Sequence, residues 1–246
     1  MKHYFTFTVL FILIGCSSSL TPVDDGLEKQ IFHFGNGSEP QGIDPHIVTG
    51  VPEHHILISL CEGLTIPSPN GNENLPGAAE SWTVSDDGKR YIFKLRKNGR
   101  WSNGDPVTAK DFVWSWQRIL TASLGSQYPD MLYYLEGAQE YHTGKTNDFD
   151  TVGVKAIGTH TLEVKLKAPT PFFTGLLSHY STWPVHKETV LKHGSIDDRN
   201  GEWTRPGNFV CNGAFNLQSW ELNNKIVVEK NPMYWDASKV QLNEIH

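Results

Sequence analysis

The strongest constraint on the fold is the order of period-two and period-3.6 segments between residues 82 and 120. Trp82-Thr83-Val84, the turn Asp86-Asp87-Gly88 and residues 91–95 give strand, turn and strand, with apolar side chains on one face. Asn98-Gly99 and Asn103-Gly104 are further turns, and a helix follows. Thr108 caps it, with Asp111 three residues on, and Phe112, Val113, Trp116, Ile119 and Leu120 form its inward stripe. Elsewhere the rhythm is irregular. Residues 31–34 read as a short, mostly buried strand, and 53–64 carry apolar positions at helical spacing behind Pro52. Residues 66–76 form a turn-rich loop, and 154–166 read as a hairpin around Gly158-Thr159-His160. Short helices are predicted at 172–177 and 185–193, the second ending at Gly194. Strands at 213–220 and 225–230 meet across Asn223-Asn224. Helices and strands alternate without a steady βαβ beat, so the fold class is mixed α/β of the α+β kind. There is no internal repeat. A chain of 246 residues with 38% hydrophobic residues has ample material for a core. The eight tryptophans are read first as core residues, although Trp also suits sugar and peptide sites.

The first sixteen residues are those of an exported protein. Lys2 precedes an unbroken run of apolar and hydroxyl residues from 4 to 14, too short to span a bilayer of about 30 Å as a helix. The run closes on Leu13-Ile14-Gly15-Cys16, which looks like a bacterial lipobox and implies cleavage before Cys16 and acylation there. Several acyl chains, at ~0.8 kcal/mol per buried methylene, anchor firmly where one chain does not. Residues 1–15 are then a signal peptide, and 16–30 a lipidated cysteine with a flexible polar tether. Cys61 and Cys211 remain. One disulfide between them is possible in an oxidising compartment, but the apolar neighbours Leu60 and Val210 favour two buried unpaired thiols.

Charge and motifs narrow the function. A net charge of −6 argues against nucleic acid as a partner. His46, His54 and His55 near Glu53 suggest a metal site on paper, yet adjacent helical residues diverge by about 100°. No nucleophile elbow, HExxH helix or Gly-rich phosphate loop is present, and no carboxylate pair stands out by spacing, so the chain is read as no enzyme and needing no cofactor.

Several strings, in order, carry a family resemblance. They are N-G-S-E-P-Q-G-I-D-P-H (36–46), G-V-P-E (50–53), E-G-L (62–64) and P-G-A-A-E-S-W (76–82). F-K-L-R-K-N-G-R-W-S-N-G-D-P-V-T-A-K-D-F-V-W-S-W-Q-R (93–118), V-G-V-K-A-I-G-T-H-T-L-E-V-K-L (152–166), N-G-A-F (212–215) and V-V-E-K-N-P-M-Y-W-D (227–236) follow. Together they resemble the bacterial extracellular solute-binding proteins of family 5, on the peptide-binding branch more than the nickel or sugar branches. The resemblance implies a two-lobed, periplasmic-binding-protein type II-like receptor that closes over an extended peptide and delivers it to the permease of an ABC importer. It places a discontinuous first lobe at 31–61 plus 187–246 and an inserted β-rich domain at 62–186. The second lobe lies outside these residues.

The same resemblance names candidate ligand contacts. Thr49, Gly50 and Val51 match the first-lobe segment beside the ligand backbone, and Tyr128 matches a tyrosine that reaches the ligand from the inserted domain. Position 49 departs from the family's best-known peptide binder, which is acidic there, and this hints at altered selectivity. Without the resemblance, Gly50-Val51-Pro52 is equally a turn before a helix, and Tyr128 before Pro129 is ordinary packing. The competing functions are a truncated surface lipoprotein that transports nothing, and a relative that binds another solute such as nickel or a sugar.

Overall fold

The computed structural model describes residues 21–71 and 73–246. The signal run and Cys16 lie outside them. In chain order the elements are α1 (Pro22–Lys29), β1 (Ile31–Phe32), α2 (Val51–Leu60), β2 (Thr65–Pro67), β3 (Asn74–Pro76), β4 (Ala79–Val84) and β5 (Arg90–Leu95). Next come α3 (Ala109–Leu120), α4 (Ala138–His142), β6 (Val154–Gly158), β7 (Thr161–Lys165) and α5 (Phe173–Leu176). The last are α6 (Lys187–Lys192), β8 (Phe215–Glu221), β9 (Lys225–Lys230) and β10 (Glu244–Ile245).

Two four-stranded sheets organise these elements. One runs β4-β5-β7-β6, all antiparallel, and α3 packs against it. The other runs β1-β10-β9-β8, with β1 parallel to β10 and the remaining pairs antiparallel. The predicted cap of α3 forms, with Asp111 accepting from the Thr108 N–H at 2.6 Å and from its hydroxyl at 2.8 Å. Phe112, Trp116, Ile119 and Leu120 are fully buried, as the stripe required, while Val113 is only half-buried against the same core. Trp101, Trp116, Trp183 and Trp203 are core residues, and one continuous cluster of buried apolar side chains runs from Ile43 to Val228.

The structure corrects four expectations. Part of the supposed tether is α1, because Thr21 and Asp24 close a capping box and Pro22 opens the helix with its φ already suited. The strand at 31–34 is short and not buried: Phe32 and Phe34 are 49% and 44% exposed, since β1 is the edge of its sheet. Residues 66–76 are no plain loop. β2 and β3 pair antiparallel there, with the Ser68 N–H donating to the Glu73 carbonyl across the tip.

The fourth correction concerns the cysteines, which form a disulfide with Cα atoms 5.3 Å apart. The reason is a close approach of backbones. A Cβ on Gly213 would lie 2.5 Å from the Leu60 carbonyl carbon and oxygen, so glycine lets the entry to β8 touch the end of α2. The Gly213 N–H donates to the Leu60 carbonyl, and the Asn212 side chain bonds both the N–H and the carbonyl of Glu62. Cys61 and Cys211 are thereby held at bonding range, and apolar neighbours decide nothing.

Glu62 fixes a second junction. It is buried, which pushes its carboxyl up to about 7, against the hydrogen bonds it accepts from Tyr234 Oη at 2.6 Å and Trp235 Nε1 at 2.9 Å. The Arg96 guanidinium lies 3.4 Å from the centre of the Trp235 ring. The E-G-L and Y-W-D motifs, far apart in sequence, are one packed joint.

Candidate functional site

The segment carrying Thr49, Gly50 and Val51 hangs from a buried ionic anchor. Arg118, fully buried on α3, grips Asp44 with both terminal nitrogens, Nη1 at 2.9 Å and Nη2 at 2.6 Å. Nη1 also donates to His46 Nδ1 at 3.0 Å, so the neutral imidazole carries its proton on Nε2 and donates it to the Trp183 carbonyl at 3.0 Å. Burial and the Arg118 charge push His46 down to about 4. Burial raises the Asp44 carboxyl, but Arg118 and His46 offset it and leave it below the usual range. His46, one of the three histidines weighed for a metal, is thus fully engaged by protein groups.

From this anchor the chain emerges at the surface. Thr49 is exposed and Val51 is 64% exposed. Gly50 is extended at φ −89° and caps α2 without a side chain. A Cβ there would sit 1.8 Å from Glu53 Oε2, while Glu53 Oε1 accepts from the Gln41 N–H at 2.8 Å. Glycine therefore leaves room for a buried carboxylate that pins the preceding loop to the helix. Among the described residues, nothing accepts a hydrogen bond from the N–H groups of Thr49, Gly50 or Val51. These are three consecutive main-chain donors without a protein acceptor among the described residues, two of them at the N-terminus of α2, where the first N–H groups of a helix are left unpaired.

Tyr128 does reach this segment. Its hydroxyl donates to the Thr49 carbonyl at 3.4 Å, and the buried Tyr180 donates to the Val48 carbonyl at 3.2 Å. Burial holds the Tyr180 hydroxyl far above its ordinary range, so it stays protonated. The Tyr128 ring lies edge-on to His179 at 5.1 Å and to Tyr180 at 6.2 Å, while His54 on α2 is 5.6 Å from Tyr180. The structure therefore brings together all four residues singled out from the sequence, and adds His54, His179 and Tyr180. The last two sit in an irregular stretch after α5, where no periodicity marks them. His54 was visible only as one of the possible metal ligands, and its ring centre is 6.4 Å from that of His55.

A separate cleft of about 750 Å³ lies on the other flank of α2, lined by Phe34, Asn36, His55, Ile226, Ile245 and His246 among others. It shares no residue with the Thr49–Tyr128 cluster. Among the described residues no helix is long and apolar enough to cross a membrane.

Residues 74–246 match the family described as bacterial extracellular solute-binding proteins, family 5 middle. The chain belongs to that family. It is 46% identical over 220 residues to the periplasmic oligopeptide-binding protein OppA of Escherichia coli, covering 89% of this chain and 39% of that one. It is 34% identical to the dipeptide-binding protein DppE of Bacillus subtilis, covering 96% of this chain and 43% of the other. Among solved structures, the Haemophilus influenzae OppA complex with the peptide RPPGFSPFR superposes with a TM-score of 0.82 at 38% identity, covering 89% of this chain and 41% of that one. The unliganded open form of the murein tripeptide-binding protein MppA gives 0.81 at 37% identity. The mixed α/β fold is thus that of these substrate-binding proteins, and the chain spans well under half the length of each relative.

Proposed function

We propose that this chain grips extended peptides by their main chain as part of a lipid-anchored receptor for an ABC importer. The observation that carries the reading is the run of three N–H donors at Thr49, Gly50 and Val51, unpaired among the described residues, with Thr49 and Val51 exposed and Thr49 beside Tyr128, in a member of this family. An extended peptide presents unpaired donors and acceptors at every residue, and an open protein edge satisfies them whatever side chains arrive. Wet, roomy surroundings then tolerate varied sequences. Relatives named for oligopeptide and dipeptide binding support that ligand class. In this reading residues 31–61 with 187–246 form the first lobe, 62–186 the inserted domain, and acylated Cys16 the tether that keeps the receptor beside its permease at the outer face of a membrane. The protein works by binding and release, with no catalytic step.

The test replaces backbone amides rather than side chains. In a bound tetrapeptide series, exchanging one central amide for an ester removes an N–H donor and weakens the carbonyl acceptor. Each ester that breaks a main-chain contact is expected to weaken binding roughly tenfold, from a hydrogen-bond contribution of ~1.5 kcal/mol. Swapping one uncharged side chain for another at the same position is expected to change affinity much less. Esters that bind as tightly as amides, while side-chain swaps abolish binding, contradict the reading.

A further inference from the structure

The cluster beside Thr49 contains two imidazoles that main-chain gripping does not use. His54 stands on the first turn of α2, with Nδ1 enclosed and without a hydrogen-bond partner among the described residues. The His179 ring is 4.2 Å from Tyr180 and 5.1 Å from Tyr128. Its Nδ1 accepts from the Ser181 N–H at 3.3 Å, which puts the proton of the neutral ring on Nε2. The Tyr180 phenol therefore lies between two half-buried histidines, and its hydroxyl and that of Tyr128 are spent on the carbonyls that lead into Thr49.

The charged and titratable surroundings of the pair are few. From α2 come His55 and Glu53, the latter buried and already accepting from Gln41. From the turn after Tyr128 comes Asp130, which is exposed and favours protonation of His179. From the segment after α5 comes Tyr180, held protonated. Among the described residues, the charged groups that act on the two imidazoles are His55, His54 and Asp130.

We propose that His54 and His179 select ligands by charge, favouring a peptide that lays a carboxylate against Thr49 and taking up a proton when it binds. This rests on the reading that the 49–51 segment grips a peptide. Burial, and then repulsion from a neighbouring imidazole (His55 on His54, His54 on His179), hold both rings below the ordinary histidine value, so both are neutral at pH 7. A carboxylate arriving within about 4–6 Å raises such a pKa by ~1–3 units and draws in a proton. A ligand ammonium does the reverse. The Thr49 hydroxyl offers an anion no repulsion, and the exposed Asp130 is screened by solvent and salt.

Calorimetry with the tetrapeptides AAEA, AAQA and AAKA, at pH 5.5 and 7.5 in two buffers of different ionisation heat, tests this. AAEA keeps its side-chain charge at both pH values. It is expected to bind about tenfold tighter at pH 5.5, with net proton uptake that depends on neither buffer. AAQA is expected to change less than twofold, and AAKA to weaken on acidification. His54→Gln and His179→Asn, the second keeping an acceptor for the Ser181 N–H, are each expected to reduce the proton uptake. Should either variant fail to fold, the three wild-type titrations are decisive by themselves. Binding of AAEA and AAQA with the same pH response overturns charge selection and leaves main-chain gripping intact. No heat from any peptide at either pH overturns both.

Discussion

Replacing Cys61 and Cys211 together by serine is expected to lower the unfolding free energy by about 5 kcal/mol, the chain-entropy figure for a loop of 150 residues. The bridge ties the end of α2 to the entry of β8, so the loop it closes contains the whole β4-β5-β7-β6 sheet and α3. Without it the unfolded chain regains the freedom of that loop, while the native contacts of Gly213 with Leu60 and of Asn212 with Glu62 remain. Urea unfolding with and without reductant measures this. A reduced protein as stable as the oxidised one contradicts it. A loss of that size would make stability sensitive to reduction, in keeping with a family of extracellular proteins.

The second large effect is at Arg118. Arg118→Met leaves the Asp44 carboxylate and His46 Nδ1 buried without their shared donor, and is expected to cost about 3–5 kcal/mol. Asp44→Leu combined with Arg118→Met is expected to lose less than Arg118→Met alone, because no uncompensated charge stays behind. The wild type also carries a pH signature from this network. His46 titrates at about 4 in the folded protein and near 6.5 when unfolded, so the unfolded chain binds more protons between those values. Stability therefore falls as pH drops from 6.5 through 4, by roughly 3 kcal/mol from this group. Denaturant midpoints that stay flat across that interval in the wild type contradict the burial of a neutral His46.

How much of this was legible in sequence follows from what each signal encodes. The α3 stripe and its Thr108–Asp111 box are local, and the helix forms where they place it. The hairpins β4-β5 and β8-β9 likewise follow from their turns and alternation. The disulfide was not legible. Whether Cys61 meets Cys211 depends on Gly213 touching Leu60 across the fold, a contact no neighbouring residue announces. The exposure of Phe32 and Phe34 was hidden for a related reason, since an apolar run does not say whether its strand is central or at an edge. At the candidate site, Thr49, Gly50, Val51 and Tyr128 came from resemblance, and their proximity is a tertiary fact. The Asp44–His46–Arg118 anchor lay within two quoted motifs, but only the fold pairs them. His179 and Tyr180 sit in a short irregular turn whose neighbours carry no pattern.

In the proposed function the main chain at Thr49, Gly50 and Val51 receives the ligand backbone. The direct measurement is a ¹⁵N–¹H spectrum with amides assigned, recorded while an extended tetrapeptide is added. Amide signals within that segment are expected to shift downfield as new hydrogen bonds form, at alternate residues where the chain is extended, with the Tyr128 ring resonances moving alongside. A peptide that binds while those three amides stay fixed, and that perturbs instead the cleft between Phe34 and Ile226, contradicts it.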